Sequence, residues 1–209
     1  MSALLAPLPP VPPPALARWP RPAPEFAGER WTVDEFHAMA NPELFEGRRL
    51  FLLRGEIWEQ GRMNPPHATV LYMATEALRR LFDAGFLVRP QLDLQLEDGT
   101  KVVPDILVVR GRVRDFLTAH PTTADLIVEV SDTTLFFDTT TKAELYATAG
   151  VPDYWVLDVN QRELHVFRDP QPVADNGFAY RWSQTFPESD TVTPLAAPTA
   201  RLRVADLLP

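Results

Sequence analysis

Cysteine is absent from the 209-residue chain, which excludes a disulfide framework and any thiolate zinc site. No apolar run approaches the ~20 residues that span a bilayer. At the N-terminus no basic region precedes an apolar stretch, and prolines interrupt the chain instead, so neither a secretory signal nor a membrane segment is expected. A cytoplasmic location fits best. Positive charge is also scarce: 20 Lys and Arg stand against 28 Asp and Glu, a net charge of −8. That balance argues against a protein that coats nucleic acid with its whole surface. The arginines do cluster, at Arg48, Arg49 and Arg54, at Arg79 and Arg80, and at Arg110, Arg112 and Arg114. The simpler reading of these is a set of solvated surface groups. With 45% hydrophobic residues, the chain has enough apolar material for one ordinary α/β domain.

The sequence divides in two. Residues 1–25 hold nine of the 22 prolines and read as an extended, mobile arm; residues 26–209 carry the domain, with folding expected from about Trp31. Thr32-Val33-Asp34-Glu35 is an N-cap signature opening a short helix through Met39. Leu50–Leu53 and Glu56–Glu59 flank Arg54-Gly55 as a β-hairpin. Pro65-Pro66 should stop the chain before a helix over His67–Phe82, whose apolar residues recur at helical spacing. Strands are expected over Phe86–Leu96, Val102–Val109 and Asp125–Val130. A helix from about Asp138 to Ala149, closed by Gly150 and Pro152, precedes a hairpin of Tyr154–Val159 and Glu163–Arg168. Phe178–Phe186 and Leu202–Leu208 read as peripheral pieces.

Two carboxylates and a lysine stand out. Asp105 lies in Val-Pro-Asp-Ile-Leu-Val-Val and Glu129 in Leu-Ile-Val-Glu-Val, each interrupting an apolar, β-branched run of the kind that forms a strand buried on both faces. An ionised carboxylate there is costly unless a cation or hydrogen-bond donors compensate it. If the two strands are neighbours, their carboxylates can converge on one hard cation. Oxygen ligands without cysteine favour Mg²⁺ or Mn²⁺, and such an ion can polarise a phosphoryl oxygen and acidify a bound water. Lys142 falls in the first turn of the expected helix, where the macrodipole disfavours a cation. It is either a positive group beside the metal or an exposed partner of Asp138 four residues earlier.

The order Pro-Asp-Ile-Leu-Val-Val, Asp-Leu-Ile-Val-Glu-Val-Ser and Lys-x-x-x-Tyr-x-x-x-Gly-Val-Pro-x-Tyr-Trp resembles the Uma family of restriction-type endonucleases, in the PD-(D/E)XK nuclease superfamily. The resemblance runs from about Trp31 to Leu208. It implies an α/β fold: a restriction-endonuclease-like core with a mixed central β-sheet flanked by helices, and an N-terminal β-hairpin arm. It also implies Mg²⁺-dependent (or Mn²⁺-dependent) cleavage of nucleic acid, DNA in preference to RNA, and a homodimer. By position, Asp105 and Glu129 would be the metal-binding acids. The superfamily lysine's usual place, two residues after the second acid, is Ser131 here, and Lys142 matches the helix lysine that the family uses instead. His67 matches a frequent family histidine, placed to contact phosphate or assist proton transfer, or simply to cap the helix.

The sequence departs from that pattern at several points. Where the family often carries an acid in the first hairpin strand this chain has Phe51, leaving Glu56 as a substitute candidate. Ser131-Asp132-Thr133-Thr134 replaces a Ser-Pro-Ser-Thr run, and Leu135-Phe136-Phe137 replaces a basic one, which implies a weaker grip on phosphate. Two rivals to the endonuclease therefore stand: a nuclease-fold interaction or regulatory protein with little or no turnover, and a phosphodiesterase acting on small molecules. His37, His120 and His165 are scattered and carry no assignment. Tyr154 and Trp155 should pack in the core, and Asp158 should form a turn.

Overall fold

The computed structural model of the chain describes residues 20–39, 48–83, 85–96, 99–174 and 177–209. Most of the proline-rich arm, residues 1–19, lies outside the described residues. The remainder of the arm is tied down: β1 (Arg21–Pro22) pairs with Trp58 and Glu59, and the Ala23 N–H donates to the Ile57 carbonyl at 2.8 Å. Thr32 caps α1 (Val33–Met39) reciprocally. Its hydroxyl accepts from the Glu35 N–H (3.2 Å) while Glu35 Oε2 accepts from the Thr32 N–H (2.8 Å).

The hairpin of β2 (Arg49–Leu53) and β3 (Glu56–Gln60) turns through Arg54 and Gly55, both at positive φ (49° and 78°). Two such residues give the tight turn whose twist matches the flanking strands. With β5 (Leu94–Gln95) and β6 (Lys101–Val102) they form an antiparallel five-stranded sheet ordered β1-β3-β2-β6-β5. The larger sheet contains β4 (Phe86–Pro90), β7 (Ile106–Arg110), β8 (Leu126–Ser131), β9 (Asp153–Asp158), β10 (Glu163–Pro172) and β11 (Phe178–Pro187), in the order β11-β10-β9-β8-β7-β4. All its neighbours are antiparallel except β8 and β9. That parallel pair needs a crossover, and α3 (Leu135–Phe137), a π-helical turn over Asp138–Lys142 and α4 (Ala143–Thr148) supply it. Thr191–Val192 (β12) and Leu202–Arg203 (β13) form a small separate pair.

The differences from the sequence expectation have local causes. The run Phe86–Leu96 breaks after Pro90, where Gln91 takes a φ of 49°, and its second half joins the other sheet. The run Val102–Val109 breaks at Pro104, which has no N–H for a ladder, so Asp105 lies just before β7 rather than inside a strand. Pro65 and Pro66 do not stop the chain but begin α2 (Pro65–Leu81), where a missing N–H costs nothing. The crossover becomes helical at Leu135, three residues early, so Lys142 lies in its middle and the first-turn dipole penalty does not apply. The terminal hairpin is longer than expected, with β11 forming the edge of the large sheet.

One face of that sheet packs on α2 and the C-terminal Val204, Leu207 and Leu208. The other packs on α4 and on Phe51, Leu53, Val102, Leu94 and Leu96 of the smaller sheet. A third cluster joins α1 to the far side of the hairpin through Phe36, Leu52 and Ile57. Tyr154 and Trp155 are fully buried on opposite faces of β9, as the sequence suggests.

Candidate active site

The antiparallel register of β7 and β8 pairs Ile106 with Val128 and Leu107 with Ile127; carried one residue further it sets Asp105 across from Glu129. The Val130 N–H donates to Asp105 Oδ2 (2.9 Å), and the Asp105 N–H lies 3.4 Å from Glu129 Oε2. Both acids are sequestered, Asp105 at 2% and Glu129 at 1% exposure. The π turn brings Lys142 Nζ to 2.9 Å from Glu129 Oε2 and 3.1 Å from Asp138 Oδ1. Lys142 does pair with Asp138, but as a buried and not an exposed group, and it pairs with Glu129 as well. The Tyr146 hydroxyl, one turn further along, donates to Glu129 Oε1 (2.7 Å). Asp138 is itself buried; the Thr134 hydroxyl donates to its carboxylate, and Tyr154 donates to its carbonyl (2.8 Å).

His67 Nε2 is 3.0 Å from Asp105 Oδ1. The residue is positioned by Asn64, which caps α2 by accepting from the His67 N–H (3.0 Å) while its amide donates to Asp132. Gln91, at the break after β4, holds Asp105 from the other side: its N–H donates to the Asp105 carbonyl (2.9 Å) and its side-chain amide lies 3.4 Å from Oδ1. Glu56 is not part of this group. It starts β3 at the turn end of the hairpin, its side chain 46% exposed and paired with Arg30, whereas the opposite end of β3, at Gln60, reaches the cavity. The hairpin glutamate therefore does not stand in for the missing acid, and Phe51 supplies an apolar wall where a carboxylate would sit. Asp158 accepts from the Asn160 and Gln161 N–H groups (2.9 and 3.0 Å), as a turn-forming acid does.

The cluster splits the pKa values of the two acids. Burial pushes Glu129 up, Lys142 opposes this, and the charges of Asp105 and Asp138 add to it, leaving the carboxyl at about 7. Burial would raise Asp105 as well, but the hydrogen bond and charge of His67, with Lys142 and the Val130 N–H, carry it below its ordinary value. For Lys142 burial favours loss of the proton, yet the charges of Asp138, Glu129 and Asp105 outweigh it and its pKa is raised. Burial lowers and Asp105 raises His67, with Glu129 adding and Arg49 subtracting; the net shift is upward. These shifts favour the ammonium form of Lys142 and the carboxylate form of Asp105.

These groups face a cavity of about 260 Å³ between the two sheets, lined also by Arg49, Phe51, Arg62, Asp132 and Thr134. Of the three buried carboxylates that line it, Glu129 and Asp138 pair with Lys142 and Asp105 pairs with His67. That donor set fits a hard divalent ion: Mg²⁺ is commonly held by one or two carboxylates, with water and substrate phosphate completing its shell. Among the described residues no group of three or more His, Cys, Asp or Glu side chains is placed to hold a metal by itself. Sequence reasoning named Asp138 only as the partner of an exposed Lys142, and did not raise Gln91 or Asn64. The i, i+4 spacings Asp138–Lys142–Tyr146 were the one signal available.

The mixed α/β fold thus brings an acid at the entrance to β7, an acid within β8 and a crossover lysine to one cavity. Residues 33–205 match the family described as "Uma2: Putative restriction endonuclease", and the chain belongs to that family. Its fold is similar to the crystal structure of a "putative nuclease belonging to DUF820" from Anabaena variabilis ATCC 29413, with a TM-score of 0.66 and 17% sequence identity, covering 84% of this chain and 96% of that one. No curated protein matches the chain. Among the described residues, no helix is long and apolar enough to cross a membrane.

Proposed function

We propose that this protein is a Mg²⁺- or Mn²⁺-dependent endonuclease that hydrolyses phosphodiester bonds in DNA. The observation that carries the reading is the meeting of Asp105, Glu129 and Lys142 at one cavity, from three separate segments of the chain. Asp105 and Glu129 are the residues that would hold the ion. When bound, a divalent ion supplies Lewis acidity to a phosphoryl oxygen and makes a water more acidic. Lys142 cannot act as a base, because its acidic neighbours keep it protonated; its ammonium instead offsets negative charge developing on the phosphoryl group and orients the attacking water. Tyr146 fixes one oxygen of Glu129, and His67 and Gln91 fix Asp105, so the acids are aligned before substrate arrives. A homodimer, implied by the family resemblance, belongs to the same proposal, and sedimentation analysis tests it.

The test is cleavage of plasmid and oligonucleotide DNA with Mg²⁺ or Mn²⁺. Cutting is expected with the wild type and is lost in Asp105→Asn and Glu129→Gln. Calorimetry with Mn²⁺ should show binding that Asp105→Asn abolishes. A second reading, an interaction protein on the same fold, draws on Phe51 in the cavity wall and on Glu129, whose two oxygens are already engaged by Lys142 and Tyr146. A folded protein that binds Mn²⁺ yet cuts neither DNA nor RNA would favour it.

A further inference from the structure

The floor of the cavity is acidic, but one wall is not. Arg49 comes from the first residue of β2 and Arg62 from the segment between β3 and α2, and both line the cavity. Neither makes an ion pair or a side-chain hydrogen bond among the described residues, although Asp132, Asp138, Glu129 and Asp105 line the same space. Arg48, one residue from Arg49, shows the contrast: it pairs with Glu59 at 3.0 Å and also with Glu25, on the structural side of the hairpin. Two guanidiniums beside four carboxylates, paired with none of them, are positioned to serve an anion that enters from outside.

We propose that Arg49 and Arg62 form a subsite for a second phosphate of the substrate, next to the phosphodiester that lies over Asp105 and Glu129. This rests on the nuclease reading and makes it more specific: the substrate class is a strand with consecutive phosphodiesters, not a singly phosphorylated small molecule. The guanidinium fork suits phosphate oxygens, which it binds through two parallel N–H donors. The subsite also answers a puzzle in the sequence. The crossover carries Leu135-Phe136-Phe137 in place of basic residues, and the grip on phosphate moves to the hairpin wall. A net charge of −8 is then no obstacle, because a local contact pair does the holding.

The experiment is fluorescence anisotropy with a labelled DNA duplex and its single strand, titrated with full-length protein in Ca²⁺ over a range of salt concentrations. Each phosphate contact contributes about 0.7–0.9 to the slope of log affinity against log salt. Arg49→Gln/Arg62→Gln should therefore bind about tenfold more weakly, with a slope shallower by about 0.7–0.9. Arg79→Gln/Arg80→Gln, which removes the same charge from the last turn of α2, should stay within about twofold of wild type. Arg49→Lys/Arg62→Lys should recover most of the slope, which a purely structural role would not predict. Equal affinity in the wild type and the Gln pair, or an equal loss in the α2 pair, overturns the subsite. If the Gln pair still cuts DNA with an unchanged KM, the subsite falls and the nuclease reading stands. If the wild type neither binds nor cuts, both fall.

Discussion

Buried acids in this chain differ in what surrounds them, and that difference separates structure from chemistry. Asp153 is fully buried and accepts from Trp155 Nε1 (2.8 Å), Arg168 Nε (2.8 Å), Arg168 Nη2 (3.3 Å) and the Leu195 N–H (2.9 Å). It is saturated by these donors. Burial raises the Glu129 carboxyl from 4.5 to about 7, with Lys142 opposing the rise and Asp105 and Asp138 adding to it. Between those values the folded protein keeps a proton that the unfolded chain has released, so lowering the pH through this window stabilises the fold. Without divalent ion, the melting temperature of the wild type should therefore rise relative to Glu129→Gln as pH falls from about 7.5 to about 5.5; parallel curves would refute the raised value. Lys142→Met strands Glu129 and Asp138 without their cation and should cost about 3–5 kcal/mol in urea unfolding at neutral pH, less at lower pH where Glu129 is protonated. The sequence made Asp105 and Glu129 visible because each interrupts an apolar run. Asp138, in Asp-Thr-Thr-Thr-Lys, gave no such contrast, since its burial comes from docking of the crossover and not from its neighbours in the chain.

At the level of elements, most strands and helices were legible from apolar spacing, and the errors fell where one apolar run serves two sheets. Pro104 was in view, yet Val102–Val109 still read as one strand because periodicity is blind to a change of partner. The π turn was not legible at all: nothing in residues 138–142 alone encodes one extra residue per turn. Such turns persist mainly where function rewards them. Deleting Thr140 would let the segment relax to an ordinary α-helix and rotate Asp138 and Phe137 by about 100° relative to Lys142 and Tyr146. Circular dichroism should show helix content preserved, while metal-dependent cleavage is lost; full activity in the deletion would show that the turn has no role in aligning the lysine. Glu56 illustrates the opposite limit. The hairpin was correctly placed, but the pattern does not tell which end of its second strand reaches the cavity.

In the whole molecule, the cavity exists because two sheets face each other across it, with the chain passing from one to the other at Gln91 and at Pro104. A divalent ion held there would bind only the folded state, so a concentration 100 times its dissociation constant should add about 2.7 kcal/mol of stability; a thermal shift with Mg²⁺ that disappears in Asp105→Asn measures it. Strand order was beyond the sequence, apart from the parallel pair that a helical crossover requires. That crossover has a further consequence. Lys142 is delivered by it, while Asp105 and Glu129 come from the sheet side, so peeling residues 135–148 away would take from Glu129 the ammonium that opposes its protonation. Partial opening thereby loses an ion pair as well as packing, and the candidate site and its supporting segment become one cooperative unit. Amide exchange in Ala143–Thr148 should slow when Mg²⁺ is added, although the ion would touch none of those residues.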